Sequence, residues 1–178
     1  MTERILEDAR RTLGEDDVFT LRSSQVDGGG LMSMFWSCAP GADERLAAFL
    51  FRKGVTMREE APDTAVKDFD DLIRRFGDDQ SLETRRWAGK AMFEKAVTLL
   101  ELRQQLDAAR TFAMMAERHS DDSLPAMREL VAKALFQQAI ILGELEGAEE
   151  EVAAHDDLID RLGGDPSPEI RVLVAMAL

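Results

Sequence analysis

The chain has 178 residues, of which 45% are apolar and 32% charged, with two Trp, no Tyr and a formal net charge of −13. This length suits one domain with its own core, and the abundance of Ala, Leu, Glu and Arg favours helix over sheet. The acidic balance argues against nucleic-acid binding, because phosphate contacts need clustered Lys and Arg. It leaves two alternatives, a solvated acidic surface or a preference for a basic partner.

Cysteine-stabilised proteins and membrane or secreted proteins are also disfavoured. Cys38, the only cysteine, cannot form an internal disulfide or a cysteine-rich zinc site. No apolar run is long enough to cross a bilayer, and the acidic N-terminus does not resemble a secretory signal. We therefore expect a cytoplasmic protein that does not bind membranes, and the excess of Arg over Lys favours a bacterial source.

The sequence divides into two predicted domains, residues 1–41 and residues 42–178. Residues 2–13 are predicted to form a short amphipathic helix, and residues 15–41 an irregular segment or a short hairpin. Asp27 and the three glycines after it lack the Lys and Ser/Thr of a phosphate-binding loop. They are interpreted as a flexible turn.

A period of 43 residues runs through residues 42–178. Phe69, Phe112 and His155 stand one period apart. A fixed period of this length is the mark of repeats that stack on one another. The same register also aligns Arg75, Arg118 and Arg161; Asp79, Asp122 and Asp165; Arg85, Arg128 and Arg171; and Ala91, Ala134 and Ala177.

Each repeat is predicted to contain two helices, because apolar residues recur at spacings of three and four. Ser123 is expected to cap one helix, with Pro125 in its first turn, where a missing N–H costs nothing. Gly147 and Gly163 interrupt the pattern. The predicted helices span residues 42–58, 63–76, 81–102, 107–119, 125–146 and 148–162, and a seventh begins after Ser167.

These segments resemble the tetratricopeptide repeat superfamily, in a long-helix bacterial form. Residues 134–145 look like the first helix of that repeat. In the first helix, Gly54, Ala96 and Ala139 match the family's small position, and Met57, Leu99 and Leu142 match its large apolar position. In the second helix, Ala65 and Ala108 match the family's small residue, and Phe69 and Phe112 match the aromatic that follows it. Glu151 and His155 depart from the pattern in the last complete copy. The resemblance implies an all-α right-handed superhelix of antiparallel helix pairs, a TPR-like α-solenoid.

The resemblance also implies a concave surface lined by the first helix of each pair. Its aliphatic and acidic character predicts binding of an amphipathic helix or a basic extended segment. Some family members clamp a carboxylate with Lys, Arg and Asn, but this chain offers Lys90 and Lys133 without an Asn. The predicted partner-binding residues are Arg52, Val55, Glu59, Lys90, Glu94, Val97, Glu101, Lys133, Gln137, Ile140 and Glu144.

The predicted function is therefore that of a protein–protein interaction module, a scaffold or adaptor rather than an enzyme. A regulatory or sensor domain of a larger bacterial signalling or defence protein is the alternative. No catalytic constellation, metal site or cofactor is predicted, since His119 and His155 lack further ligands nearby and are interpreted as surface or groove-lining residues.

Two more expectations concern charge and apolar surface. Arg85, Arg128 and Arg171 are predicted to bond to Asp79, Asp122 and Asp165 of the loop that precedes each of them, and a ligand-binding arginine row is the alternative. Residues 171–178 carry an apolar stripe that a soluble monomer rarely exposes. Either self-association or a continuation of the repeat array is expected to cover it.

Overall fold

The computed structural model describes residues 41–178, which form seven α-helices and no strand. The all-α prediction is confirmed for these residues. The predictions for residues 2–13 and 15–40 lie outside them. The helices are α1 (Ala42–Met57), α2 (Pro62–Phe76), α3 (Leu82–Glu101), α4 (Gln105–Arg118), α5 (Pro125–Leu145), α6 (Ala148–Leu162) and α7 (Pro168–Ala177).

Helix ends lie within two residues of the predicted ones. The largest difference is the start of α4, at Gln105 rather than at residue 107. It arises because α3 ends in a Schellman turn, with Arg103 in the left-handed conformation at φ 62°. The Gln104 N–H donates to the Leu99 carbonyl at 2.8 Å, and the Arg103 N–H donates to the Leu100 carbonyl at 3.0 Å. The chain therefore reverses early and α4 gains residues at its start.

The helices pack as antiparallel pairs, α1 with α2, α3 with α4, and α5 with α6. The antiparallel direction of the two helices is clearest in the third pair. Phe136 of α5 stacks on His155 of α6, whereas Gly143, later in α5, faces Glu151, earlier in α6. Short connections such as residues 58–61 and 146–147 enforce this arrangement.

A ring-on-ring contact recurs at the same place in successive pairs. The Phe93 and Phe112 rings lie 5.4 Å apart between α3 and α4, and Phe136 and His155 lie 5.4 Å apart between α5 and α6. The residues of each contact are related by 43 positions. The sequence period is therefore also a period of the packing.

Small residues bring the helices of each pair together, as predicted. Ala65, Ala96, Ala108 and Ala139 are fully buried, which lets neighbouring helices approach closely. The exception, Glu151, stands where the other copies have Ala. Its side chain occupies the space beside Gly143 that a Cβ would fill, so a glycine on α5 compensates for the larger residue on α6.

Neighbouring pairs join through two sets of contacts, because each second helix packs against the first helix of the next pair and the first helices also contact one another. The first helix of each pair contacts the next first helix, giving the series α1–α3–α5–α7. We call α1, α3, α5 and α7 the long-helix layer. Within residues 41–178, α2, α4 and α6 contact helices of this layer and never one another.

Three aspartates recur at the loops between repeats. A side-chain oxygen of Asp79, Asp122 and Asp165 accepts the backbone N–H two residues ahead, at 2.7, 2.9 and 2.8 Å respectively. Each bond fixes the turn from which the next long helix starts. The helix α5 therefore begins after Asp122 and Leu124, and the prediction that Ser123 caps it was wrong.

The predicted pairing of arginines with the preceding aspartate was also wrong. Arg128 pairs with Asp165 of the following loop at 2.5 Å, and Asp122 pairs with Arg86 through two bonds of 3.0 and 3.1 Å. The starts of the long helices lie side by side at one end of the layer. Asp122 and Asp165 therefore each reach an arginine of the preceding repeat, so these two ion pairs link neighbouring repeats.

Asp122 stays ionised in a buried place. Burial alone would raise its pKa, but the hydrogen bonds from Arg86 and from the Leu124 N–H outweigh burial and hold the pKa of this carboxyl below its usual value.

His119 is a core residue, contrary to the prediction of a surface or groove-lining side chain. It is 6% exposed and stands where the other repeats have Phe76 and Leu162. A Cβ on Gly89 would lie 2.6 Å from its Nε2 atom, so the glycine makes room for the imidazole. Burial lowers the pKa of His119; nearby Asp122 opposes this effect and Arg85 adds to it.

We predict that His119 makes the fold acid-sensitive before the carboxylates titrate. The unfolded chain takes up the imidazole proton near pH 6.5, whereas the folded state resists it. Stability is therefore complete above this pH and falls as the pH drops below it. Between about pH 7 and about pH 5, urea unfolding of His119→Leu should lose less stability than the wild type. Equal losses in both proteins would contradict the assignment.

We predict that Gly54→Ala destabilises the first pair by about 1–2 kcal/mol, although alanine favours helix by roughly 1 kcal/mol. The added Cβ would lie 2.5 Å from Cε1 of Phe69, whose ring is fully buried and has no room to move. Gly164→Ala is the control, because nothing lies within 4 Å of its added Cβ. Thermal unfolding should lower the midpoint of the first variant only.

The last helix exposes apolar side chains. Val172 is 58% and Met176 63% exposed, while Leu173 and Val174 pack against the core. We predict that this edge mediates self-association, so Val172→Glu with Met176→Glu should lower the average mass in sedimentation velocity at high concentration. Leu106→Glu, at another exposed apolar side chain, should leave the mass unchanged. An unchanged wild-type monomer would contradict the prediction.

Candidate partner-binding surface

One side of α1, α3 and α5 carries all of the predicted partner-binding residues except Glu59, which lies in the turn after α1. On α3 they are Lys90, Glu94, Val97 and Glu101, whose spacing of four, three and four places them on one helical face. The equivalent residues of α5 follow 43 positions later. We call the joint surface the long-helix face. Five of its residues are half-buried, namely Lys90, Glu94, Val97, Gln137 and Ile140. The other six are exposed, namely Arg52, Val55, Glu59, Glu101, Lys133 and Glu144.

Arg58 joins α1 to α3 on this face. Its guanidinium nitrogens lie 2.6 Å from a Glu94 oxygen and 3.7 Å from a Glu101 oxygen. Both acidic residues were predicted, whereas Arg58 was not. Because the three side chains are partly exposed, the pairs contribute little to stability. Their main effect is to neutralise the acidic character of α3.

Two aromatic side chains lie at the other end of the long-helix face. Trp87 precedes Lys90 by one turn, and the Lys90 ammonium lies 4.2 Å from the centre of its ring. Phe51 of α1 also packs against Trp87, with ring centres 5.4 Å apart. All three side chains are half-buried. They combine a cation with apolar surface, a combination that binding surfaces often use.

The residues that α5 contributes to the long-helix face form fewer hydrogen bonds and ion pairs with the rest of the fold. Lys133 and Gln137 form no hydrogen bond or ion pair with any residue of 41–178. Glu144 accepts a hydrogen bond of 2.8 Å from Gln105 at the start of α4. Within these residues neither Lys133 nor Gln137 is held by a hydrogen bond, although hydrogen bonds and, to a lesser extent, the charge of Lys133 lower the pKa of nearby Glu169.

With Arg58 included, the long-helix face is electrically balanced. It carries four basic and four acidic side chains, so the negative charge of the chain is not concentrated here. The expectation of a basic partner at this surface consequently loses its electrostatic basis. The eight charged residues are Arg52, Arg58, Lys90 and Lys133, and Glu59, Glu94, Glu101 and Glu144.

A second concave region lies on the opposite side, between α2 and α4. It has a volume of about 380 Å³, and its lining includes Val66, Leu99 and Met114. The Lys95 ammonium pairs with Asp70 at 2.7 Å within it. The groove exists because α2 and α4 do not touch. Its charged groups are paired, so it presents less unsatisfied polar chemistry than the long-helix face.

Two kinds of feature are absent from residues 41–178. Nowhere in this part of the chain do three or more His, Cys, Asp or Glu side chains come together as metal ligands would. None of its helices has the length and apolar character needed to cross a bilayer. No protein-family model, curated protein or solved structure matches the chain.

Sequence reasoning missed Arg58, Trp87 and Phe51. A helical projection could have found Trp87, which lies one turn before Lys90 on the same face. Arg58 follows Val55 by one turn, but its partners belong to another helix. Only the packing of α1 against α3 shows that it reaches Glu94 and Glu101.

Proposed function

We propose that residues 42–178 are a TPR-like interaction module that binds a segment of another protein on the long-helix face. In this proposal the helix pairs form a right-handed superhelix, and the role is that of an adaptor rather than an enzyme.

The supporting observation is the continuous contact along the long-helix layer. Helices of this layer contact one another, whereas α2, α4 and α6 do not contact one another. A stack whose helices lie closer together in one layer than in the other curves toward the closer layer, and the inner surface is where extended repeats hold their ligands.

The composition of the face favours an amphipathic segment of mixed charge. Val55 and Ile140 provide aliphatic surface, and Trp87 provides a partly exposed ring beside Lys90. Lys133 and Gln137 form no hydrogen bond or close ion pair within residues 41–178. A helix with apolar residues one turn apart, flanked by both acidic and basic groups, fits this pattern.

Photo-crosslinking tests the proposal. A photoreactive amino acid replaces Val55 or Gln137 in the full chain, and Glu117, an exposed residue of α4, is the control position. After irradiation in the source cells, the same protein should be crosslinked from Val55 and Gln137 but not from Glu117. Mass spectrometry of the adducts identifies it.

Affinity for that protein provides the quantitative check. Lys133→Glu should weaken binding by about tenfold, because it reverses a charge that forms no close ion pair within residues 41–178. Asp121→Lys, in the exposed loop before α5, should leave binding within about twofold. Crosslinks from Glu117 of equal yield, or binding indifferent to Lys133→Glu, would show that another surface recognises the partner.

A further inference from the structure

The outward side of α6 carries an unbalanced acidic surface with an apolar centre. Glu149, Val152, Ala153, Asp156 and Asp160 are all exposed and follow helical spacing along one stripe. Val152, at 58% exposure, lies in the middle of it. We call this stripe the α6 face.

No cation lies close in the sequence to balance these charges. The chain contains neither Lys nor Arg between Lys133 and Arg161, a stretch with eight acidic residues. Arg161 pairs with Asp157 on the flank of α6, at 2.8 Å. Within residues 41–178, Glu149, Asp156 and Asp160 form no ion pair.

The stability of α6 explains only part of this pattern. Glu149 and its two acidic neighbours lie in the first turn, where carboxylates complement the helix dipole. Asp160 lies in the last turn, where the dipole disfavours a negative charge. It also follows Asp156 by four residues, a spacing at which like charges repel. The acidic residues in the second half of α6 therefore work against the helix that carries them.

The other second helices do not share this character. The outer sides of α2 and α4 carry both signs of charge in internal pairs, as in Asp71 with Arg74 at 2.6 Å and Asp107 with Arg110 at 3.6 Å. At the position equivalent to Val152, α4 has buried Ala109. The α6 face is thus specific to one repeat and not a general property of the fold.

We propose that the α6 face docks a basic amphipathic helix of a protein partner. Val152 and Ala153 contact apolar side chains of that helix, while Glu149, Asp156 and Asp160 pair with its Lys and Arg residues. The partner's charges relieve the repulsion between Asp156 and Asp160. This second site is distinct from the long-helix face, so it does not depend on the function proposed above.

A synthetic peptide tests the chemistry directly. The probe is a fluorescent helix of about 18 residues with Leu at positions i, i+3, i+4 and i+7 and Lys elsewhere. Its control has Glu in place of every Lys. Fluorescence anisotropy with the full chain should show binding of the Lys peptide, weakening as salt rises, and at least tenfold weaker binding of the Glu peptide.

Two charge-matched double variants locate the site. Asp156→Lys with Asp160→Lys should weaken binding by about tenfold, whereas Glu117→Lys with Asp121→Lys should weaken it by less than about twofold. Both pairs lie on exposed positions, and circular dichroism checks that the helices are retained. Val152→Ser should also weaken binding, including at high salt, because it removes apolar contact.

Hydrogen exchange supplies an independent readout. Binding of the peptide should slow amide exchange in residues 148–162 more than elsewhere. Equal weakening by both double variants would reveal attraction to net charge alone and overturn the proposal, as would failure of the wild type to bind the Lys peptide. Self-association that the α6 variant abolishes would overturn it too, by identifying a second copy as the occupant.

Discussion

The close packing of a ring from each second helix against its long helix is the interaction on which the rest of the stack depends. Phe69, Phe112 and His155 occupy this place in turn, and Gly54 on α1 leaves room for the first of these rings. Once the ring is packed between the two helices of a pair, the distance between their axes and their relative register are fixed. The long helices can then meet in a regular layer, and their outward residues align into a face.

Much of this fold could be predicted because the relevant information is local and repeated. Apolar spacing marks the helices, and the 43-residue period identifies the small residues at helix contacts, such as Ala96 and Ala139. The failures involve residues whose partners lie in another repeat. Arg128 reaches forward to Asp165, and His119 is buried only because Gly89 leaves space for it. Sequence spacing says which residues are equivalent, but not which neighbour each side chain meets.

The net charge of −13 is likewise a poor guide to any one surface. On the long-helix face, Arg58 offsets acidic residues that looked unopposed in the sequence. The acidity of α6 is different, since no basic side chain of residues 41–178 approaches Glu149, Asp156 or Asp160 closely enough to pair. Charge complementarity therefore has to be judged surface by surface, after ion pairs within the fold have been assigned.

The lack of contact among α2, α4 and α6 has a mechanical consequence. Bending the stack about its long-helix layer changes the width of the groove between α2 and α4, which do not contact each other. Such a deformation also shifts α2 against α3 and α4 against α5, so these packed contacts set the curvature together with the long-helix layer. A ligand wedged between α2 and α4 would act as a brace, fixing the pitch of the array at a distance from the long-helix face.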